Sequence, residues 1–197
     1  MFYKIVKPII WVIFKCLFFF RVKGAKNVPQ EGRCIIASNH MSLPDPIFIG
    51  LSLRRQVFFM AKAELFSHKV AAAFFHALGA FPVHRGANDL GAIRTSLGIL
   101  KQEKAMGIFP QGHRERGEAL TPYKSGFALL AAHAKSVVVP TYVQTKNQRL
   151  RPFRRVTVIF GKPMTCEELG YTNGNSENLQ QMAQNLYEAT RRLAGLE

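Results

Sequence analysis

Residues 35–50 read IIASNHMSLPDPIFIG. An apolar run breaks at Ser38, Asn39 and His40, crosses a short turn, and resumes after Asp45 and Pro46. The run before the break, Cys34–Ser38, has the length and the unbroken apolar character of a strand covered on both faces. The stretch after it, Pro46–Leu53, opens as helices do, with Asp45 placed to be the N-cap and Pro46 at the first helical position. Strand ends are where open α/β sheets build their sites, so a histidine and a carboxylate at this junction are candidates for chemistry.

The alternation continues outward from that junction. β-like runs recur at Gln56–Ala61, Gly107–Phe109, Val137–Tyr142 and Val156–Phe160. Between them lie helical patterns. Phe66–Leu78 carries Val70, Phe74 and Leu78 at helical spacing. Asn88 can cap a helix with Leu90, Ile93, Leu97 and Leu100 on one face. Ser125–Ala134 is rich in small residues, and Ser176 starts an amphipathic stretch with Leu179, Met182, Leu186 and Leu193. Strands alternating with helices predict an α/β fold with a mostly covered central mixed sheet flanked by helices.

The 197 residues suit one domain with a real core, and 48% hydrophobic against 20% charged residues excludes a disordered chain. Twenty-seven Lys and Arg against 12 Asp and Glu give a net charge of +15, which implies a polyanionic partner such as nucleic acid, anionic lipid or an acidic protein. The basic excess is uneven. No acid occurs from Met1 to Gln30 or from Ala119 to Cys166. Cys16, Cys34 and Cys166 are too few and too far apart for a disulfide framework or a zinc site, and read as buried free thiols in a reducing compartment.

The N-terminus, KIVKPIIWVIFKCLFFFRV from Lys4 to Val22, is apolar but punctuated. Lys15 interrupts it, and only 12 residues separate Pro8 from Arg21, short of the roughly 20 that a spanning helix needs. No small-residue cleavage site follows, which argues against a secretory signal. The expectation is a monotopic helix lying in the interface, with Trp11 and the phenylalanines at the acyl boundary and Lys4, Lys7, Lys15 and Arg21 at lipid phosphates. The chain then divides into a membrane-interface segment, 1–23, and a main domain, 24–197, with the Gly/Pro-containing stretch KGAKNVPQEGR marking the boundary.

At the junction, Asp45 follows His40 by five residues across a turn, an HxxxxD spacing. Its carboxylate can fold back onto the imidazole, fix the tautomer and leave the second nitrogen free as a base. The plainer reading is a helix cap beside a decorative histidine, and the spacing alone does not choose. Two further stretches bear on it. GIFPQGHRERG (Gly107–Gly117) is a strand followed by a Pro-Gln-Gly turn, where Gly112 lets backbone N–H groups approach a ligand and Arg114 offers a planar fork for phosphate oxygens. LGAFPVHRG (Leu78–Gly86) brings out Arg85 after another apolar run.

In order along the chain, NHMSLPD, GAFPVHR, FPQGHR and VVPTYV resemble the four motifs of the glycerolipid acyltransferase family, and most closely its 1-acyl-glycerol-3-phosphate acyltransferases. MAKAELF, YKSGFALLA and VIFGKPM follow in the family's order, so the resemblance covers about Gly24 to Pro163. It implies His40 as general base and Asp45 as its partner, with direct attack of a lysophospholipid hydroxyl on an acyl thioester. It implies that Arg85, Gly112 and Arg114 hold the acceptor's phosphate, and that Pro140 belongs to the acyl-donor side or the wall of the site. It implies no metal and no prosthetic group, acyl-CoA or acyl-carrier protein as co-substrate, and a place on the cytoplasmic face of a cell membrane. One departure stands out. Where the family's third motif has Glu and then Thr, this chain has Gln111 and His113, which makes Gln111 a candidate for orienting the acceptor.

The rivals fit less of the sequence. A serine hydrolase would want a Gly-x-Ser-x-Gly elbow, and neither Ser42 nor Ser125 has one. A metal enzyme could draw on His40, His84 and His113, yet no histidine pair has ligand spacing on a helix face. KNQRLRPFRR (Lys146–Arg155) looks like a nucleic-acid arm on charge alone. That reading gives the apolar N-terminus and the ordered motifs no role, so no nucleic acid is expected. Anionic head groups, or an acidic carrier protein, suit the arm better.

Overall fold

Cys34–Ser38 is a strand near the middle of the sheet, and all five of its residues are buried. Ile35 and Ala37 enter one apolar core and Cys34 and Ile36 another, so the sheet is covered on both faces. This computed structural model describes residues 2–83, 90–115 and 120–196.

In chain order the elements are helix α1 (Phe2–Leu17), strand β1 (Phe19–Lys23), β2 (Cys34–Ser38), α2 (Asp45–Ser52), β3 (Val57–Lys62), α3 (Lys69–Ala77), β4 (Ala80–Val83), α4 (Leu90–Lys101), β5 (Ala105–Ile108), α5 (Gly126–Ala134), β6 (Val137–Thr145), β7 (Arg155–Phe160) and α6 (Ser176–Ala194). The sheet order is β1-β7-β6-β2-β5-β3-β4. Every pairing is parallel except β6 with β7, so the sheet is mixed, as the sequence predicts. Helices α4, α5 and α6 lend Leu100, Phe127, Met182 and Leu186 to the core on one face. On the other face α1 and α2 supply Phe14, Phe48 and Ile49.

Phe48 of α2 ties the N-terminus to the body. It is fully buried, with the rings of Phe14, Phe18 and Phe20 at centroid distances of 4.9, 5.1 and 5.3 Å. Phe20 is the one buried residue of β1. Here the structure departs from the sequence expectation, which carried one apolar segment through Val22. The helix stops at Leu17, and Phe19–Lys23 joins the sheet beside β7. The physical reason is that Phe18 and Phe20, on either side of Phe19, find an aromatic partner in Phe48 inside the protein. Lys7 and Lys15 also bond to the protein's own backbone. The Lys7 ammonium donates to the carbonyl of Leu53, the C-cap of α2, and Lys15 donates to Phe20 O at 3.0 Å. A cation at a helix C-terminus is favourably placed. No helix among the described residues is long and apolar enough to cross a membrane.

Two further differences concern edges. Strand β4 has only four residues and contains Pro82; at the sheet's edge its missing N–H costs no ladder bond. Helix α3 forms, but none of its residues is buried, and Val70 is 84% exposed. The Val70, Phe74 and Leu78 spacing therefore marks a stripe that the core does not use. Cys34 and Cys166 are buried free thiols as expected, whereas Cys16 on α1 is exposed.

Candidate active site

Strand β2 ends at Ser38, and Asn39 takes over its pairing with side-chain atoms. The Asn39 carboxamide accepts from Val143 N–H at 2.7 Å and donates to Val143 O at 3.1 Å. It imitates one more rung against β6 while the backbone turns away. His40 is thereby set at the carboxyl end of the sheet.

The turn is organised around one carboxylate. Asp45 Oδ2 lies 2.9 Å from His40 Nδ1 and accepts from the backbone N–H groups of Met41 and Ser42, each at 2.7 Å. The Ser42 hydroxyl donates to Oδ1. The sequence offered Asp45 as N-cap of α2; instead Pro44 stands at the cap position and Asp45 begins the helix, its carboxylate turned back into the loop. The Asp45 side chain is 1% exposed and that of His40 14%. A carboxylate only accepts, so Nδ1 carries the hydrogen and Nε2 keeps its lone pair. The imidazole also stacks on Phe109, with centroids 4.0 Å apart and planes at 19°. Phe59 backs Phe109 at 6.0 Å. Gly107 makes this stack possible, because a Cβ there would fall inside the Phe59 ring.

The loop after β5 clamps the His40 turn. Gln111 accepts His40 N–H through Oε1 at 2.7 Å, and Glu115 N–H donates to His40 O at 2.8 Å. Gln111 is 1% exposed, and its amide nitrogen reaches the Thr121 hydroxyl at 3.4 Å, which in turn donates to Glu115. The residue considered for orienting the acceptor is thus placed as an internal strut of the His40 loop. His113 Nε2 lies 3.2 Å from Glu115 and forms an ion pair when its ring is protonated. Gly112 closes a turn onto Phe109 O at 3.0 Å with φ +78°, a conformation that glycine adopts without strain.

Among the phosphate candidates, Gly112 and Arg114 lie on this loop, and the Arg114 side chain is exposed. Arg85 and His84 fall outside the described residues. Lys124 joins Gly112 and Arg114: its N–H donates to Pro110 O at 2.9 Å, and its ammonium reaches within 3.4 Å of where a Gly112 side chain would begin. Pro140 sits lower, inside β6, paired with Ala37 and accepting from Gly161 N–H at 2.8 Å. Among the described residues no cluster of three or more His, Cys, Asp or Glu could hold a metal ion.

A histidine–aspartate pair at a strand end, with a basic loop beside it, can be compared with known proteins. Residues 19–144 match the family model described as Acyltransferase. The chain belongs to the acyltransferase family. It is 29% identical over 176 residues to the 1-acyl-sn-glycerol-3-phosphate acyltransferase of Bacillus subtilis (strain 168), covering 88% of this chain and 87% of that one. The enzyme of the same name from Streptococcus pneumoniae is 28% identical over 168 residues, 83% of this chain and 61% of the relative. In fold, the chain is similar to the crystal structure of the 1-acyl-sn-glycerophosphate (LPA) acyltransferase PlsC from Thermotoga maritima. The TM-score is 0.71 at 21% identity, over 90% of this chain and 71% of that one.

Within this acyltransferase-family chain, sequence reasoning left out several residues around His40. Asn39 reads in sequence only as part of the polar break; its exchange with Val143 needs the β2–β6 register. Lys124 lies 10 residues beyond Arg114 and shows only as one lysine among many. Phe109 looks like an ordinary strand residue until its ring is found flat against the imidazole.

Proposed function

We propose that this protein transfers an acyl chain from an acyl thioester, acyl-CoA or acyl-carrier protein, to the sn-2 hydroxyl of lysophosphatidic acid, giving phosphatidic acid. The observation that carries the proposal is the His40–Asp45 pair, 2.9 Å apart, with the carboxylate buried and the imidazole partly open. The names of the Bacillus and Streptococcus relatives support the choice of acceptor.

The chemistry follows from the tautomer. His40 Nε2 takes the proton of the acceptor hydroxyl as its oxygen attacks the thioester carbonyl. Asp45 holds the ring and stabilises the imidazolium that forms. The tetrahedral intermediate collapses, the C–S bond breaks, and the imidazolium returns the proton to the departing thiolate. A positioned base of this kind contributes about 10²–10⁴-fold. The acceptor's phosphate sits against Arg114 and Lys124 at the Gly112 turn, and the family resemblance assigns Arg85 to the same group; arginine suits it bidentately and lysine as a point charge.

The lipid acceptor requires access to a bilayer. The outer side of α1 exposes Ile5, Ile9, Trp11, Val12 and Ile13, while its inner side is spent on Phe48. A 16-residue helix is about 24 Å long, shorter than a hydrocarbon core of about 30 Å. Lying in the interface is the arrangement this helix suits, and we place the protein as a monotopic or peripheral enzyme of the cytoplasmic membrane face. Supplying purified protein with labelled palmitoyl thioester and lysophosphatidic acid, lysophosphatidylcholine or glycerol 3-phosphate tests the reading. Product from lysophosphatidic acid supports it; product only from another acceptor moves the acceptor assignment and leaves the mechanism.

A further inference from the structure

The β6–β7 hairpin rises above the site. Ser38, the last residue of β2, pairs with Thr141, so Tyr142–Thr145 continues past the end of β2, where its only strand partner among the described residues is β7. At about 3.3 Å per residue the ribbon stands about 13 Å beyond β2. Its tip, residues 146–154, is on the same end of the sheet as His40.

That tip is unusual in composition. Lys146, Arg149, Arg151, Arg154 and Arg155 are all exposed, and none is ion-paired to a described residue. Among these cations stand two exposed rings, Phe153 and Phe19, each 65% exposed. The tip is fixed to the end of α1. Phe153 N–H donates to Leu17 O at 2.6 Å, and Phe19 N–H donates to Arg154 O at 3.2 Å. Phe153 is held at φ +57°, a conformation that bulky residues avoid. Helix α1 ends at the exposed Leu17, so both exposed rings lie beside the end of that helix.

We infer that residues 146–155 with Phe19 form a second membrane-docking element, selective for phospholipid bilayers with anionic head groups, that turns the His40 end of the sheet toward the lipid. Rings flanked by arginines match an interface that has acyl chains below and phosphates above. An acidic protein would answer the charges, but the exposed rings adjoin the end of α1, which exposes apolar side chains of its own, and this favours a bilayer. The inference rests on the proposed reading only in taking the acceptor to be a lipid, and it is measured without turnover.

The test is sedimentation of the full chain with phosphatidylcholine vesicles, with and without phosphatidylglycerol. Phe153→Asn removes the ring and keeps a residue that tolerates the left-handed backbone. Arg149→Gln with Arg151→Gln removes two charges. The double arginine variant should bind phosphatidylglycerol vesicles about 30-fold more weakly, with little change on phosphatidylcholine alone. Phe153→Asn should weaken binding to both by roughly tenfold. Wild-type binding by both variants overturns the inference. So does unchanged vesicle binding by the arginine variant with weakened binding of acyl-carrier protein, which would make the tip a protein site. Turnover of each variant in detergent, compared with wild type, separates this inference from the proposed reaction: an inactive wild type there would count against the reaction, while vesicle binding would still decide the docking.

Discussion

The side chain of Gln111 holds the backbone of His40: its carboxamide oxygen accepts the histidine N–H at 2.7 Å. The remaining half of the amide reaches Thr121, whose one hydroxyl proton already goes to Glu115. Gln111→Glu would keep an acceptor for His40 but set two carboxylates against one hydroxyl. Loss of about 1–3 kcal/mol in denaturant unfolding is expected, the usual cost of an unmet buried polar group. Adding Glu115→Gln should restore it. A Gln111→Glu protein as stable as wild type would remove the strut role.

The stack Phe59, Phe109, His40 depends on Gly107 having no side chain. Gly107→Ala should push the Phe59 ring aside and, through Phe109, tilt the imidazole. The expected cost is about 1–3 kcal/mol of stability, as for other overpacked cores, with a fall in turnover at saturating substrate. Phe59→Leu in the same chain should recover part of both. Unchanged kcat in Gly107→Ala would show that the stack does not position the base.

How much of this was legible follows from which interactions are local. Cys34–Ser38 and its helix were readable because an unbroken apolar run and an Asp-Pro start signal their states within a few residues. Asp45 reaching back to His40 was one of two open readings, since the five-residue spacing crosses one turn but fits a helix cap equally well. Strand β1 was hidden because Phe18 and Phe20 look like membrane residues until Phe48 is seen between them. Strand β4 was hidden by its length and by Pro82. Lys124 and Asn39 were hidden because their roles depend on chain segments that meet only through the sheet. Val70 and Phe74 misled in the opposite sense: the helical stripe is real, yet no core lies under it.

Arg114 and Lys124 flank the same turn, so each should act on the acceptor more than on the donor. Arg114→Ala and Lys124→Ala are expected to raise the acceptor KM about tenfold or more, with the donor KM nearly constant, since each removes a charge-assisted contact to phosphate. Steady-state kinetics with both substrates varied decides it. Equal rises in both KM values would argue against a phosphate role for these cations.

The two sides of α1 should separate stability from membrane binding. Phe48→Ala is expected to cost about 3–5 kcal/mol, because it empties the space among Phe14, Phe18 and Phe20. Ile9→Ser with Ile13→Ser, on the exposed side, should leave the melting temperature nearly unchanged and weaken sedimentation with vesicles. Point changes are the cleaner test, since deleting residues 1–22 would also take Phe18 and Phe20 out of the core. Full vesicle binding by the Ile9/Ile13 variant would contradict an interfacial role for α1.

The most direct test of the central claim is single-turnover acylation of lysophosphatidic acid by wild type and His40→Ala, with circular dichroism confirming that both are folded. The account predicts product from wild type and a loss of about 10²–10⁴-fold in His40→Ala, the worth of a positioned general base. Wild-type rates in a folded His40→Ala protein would contradict it.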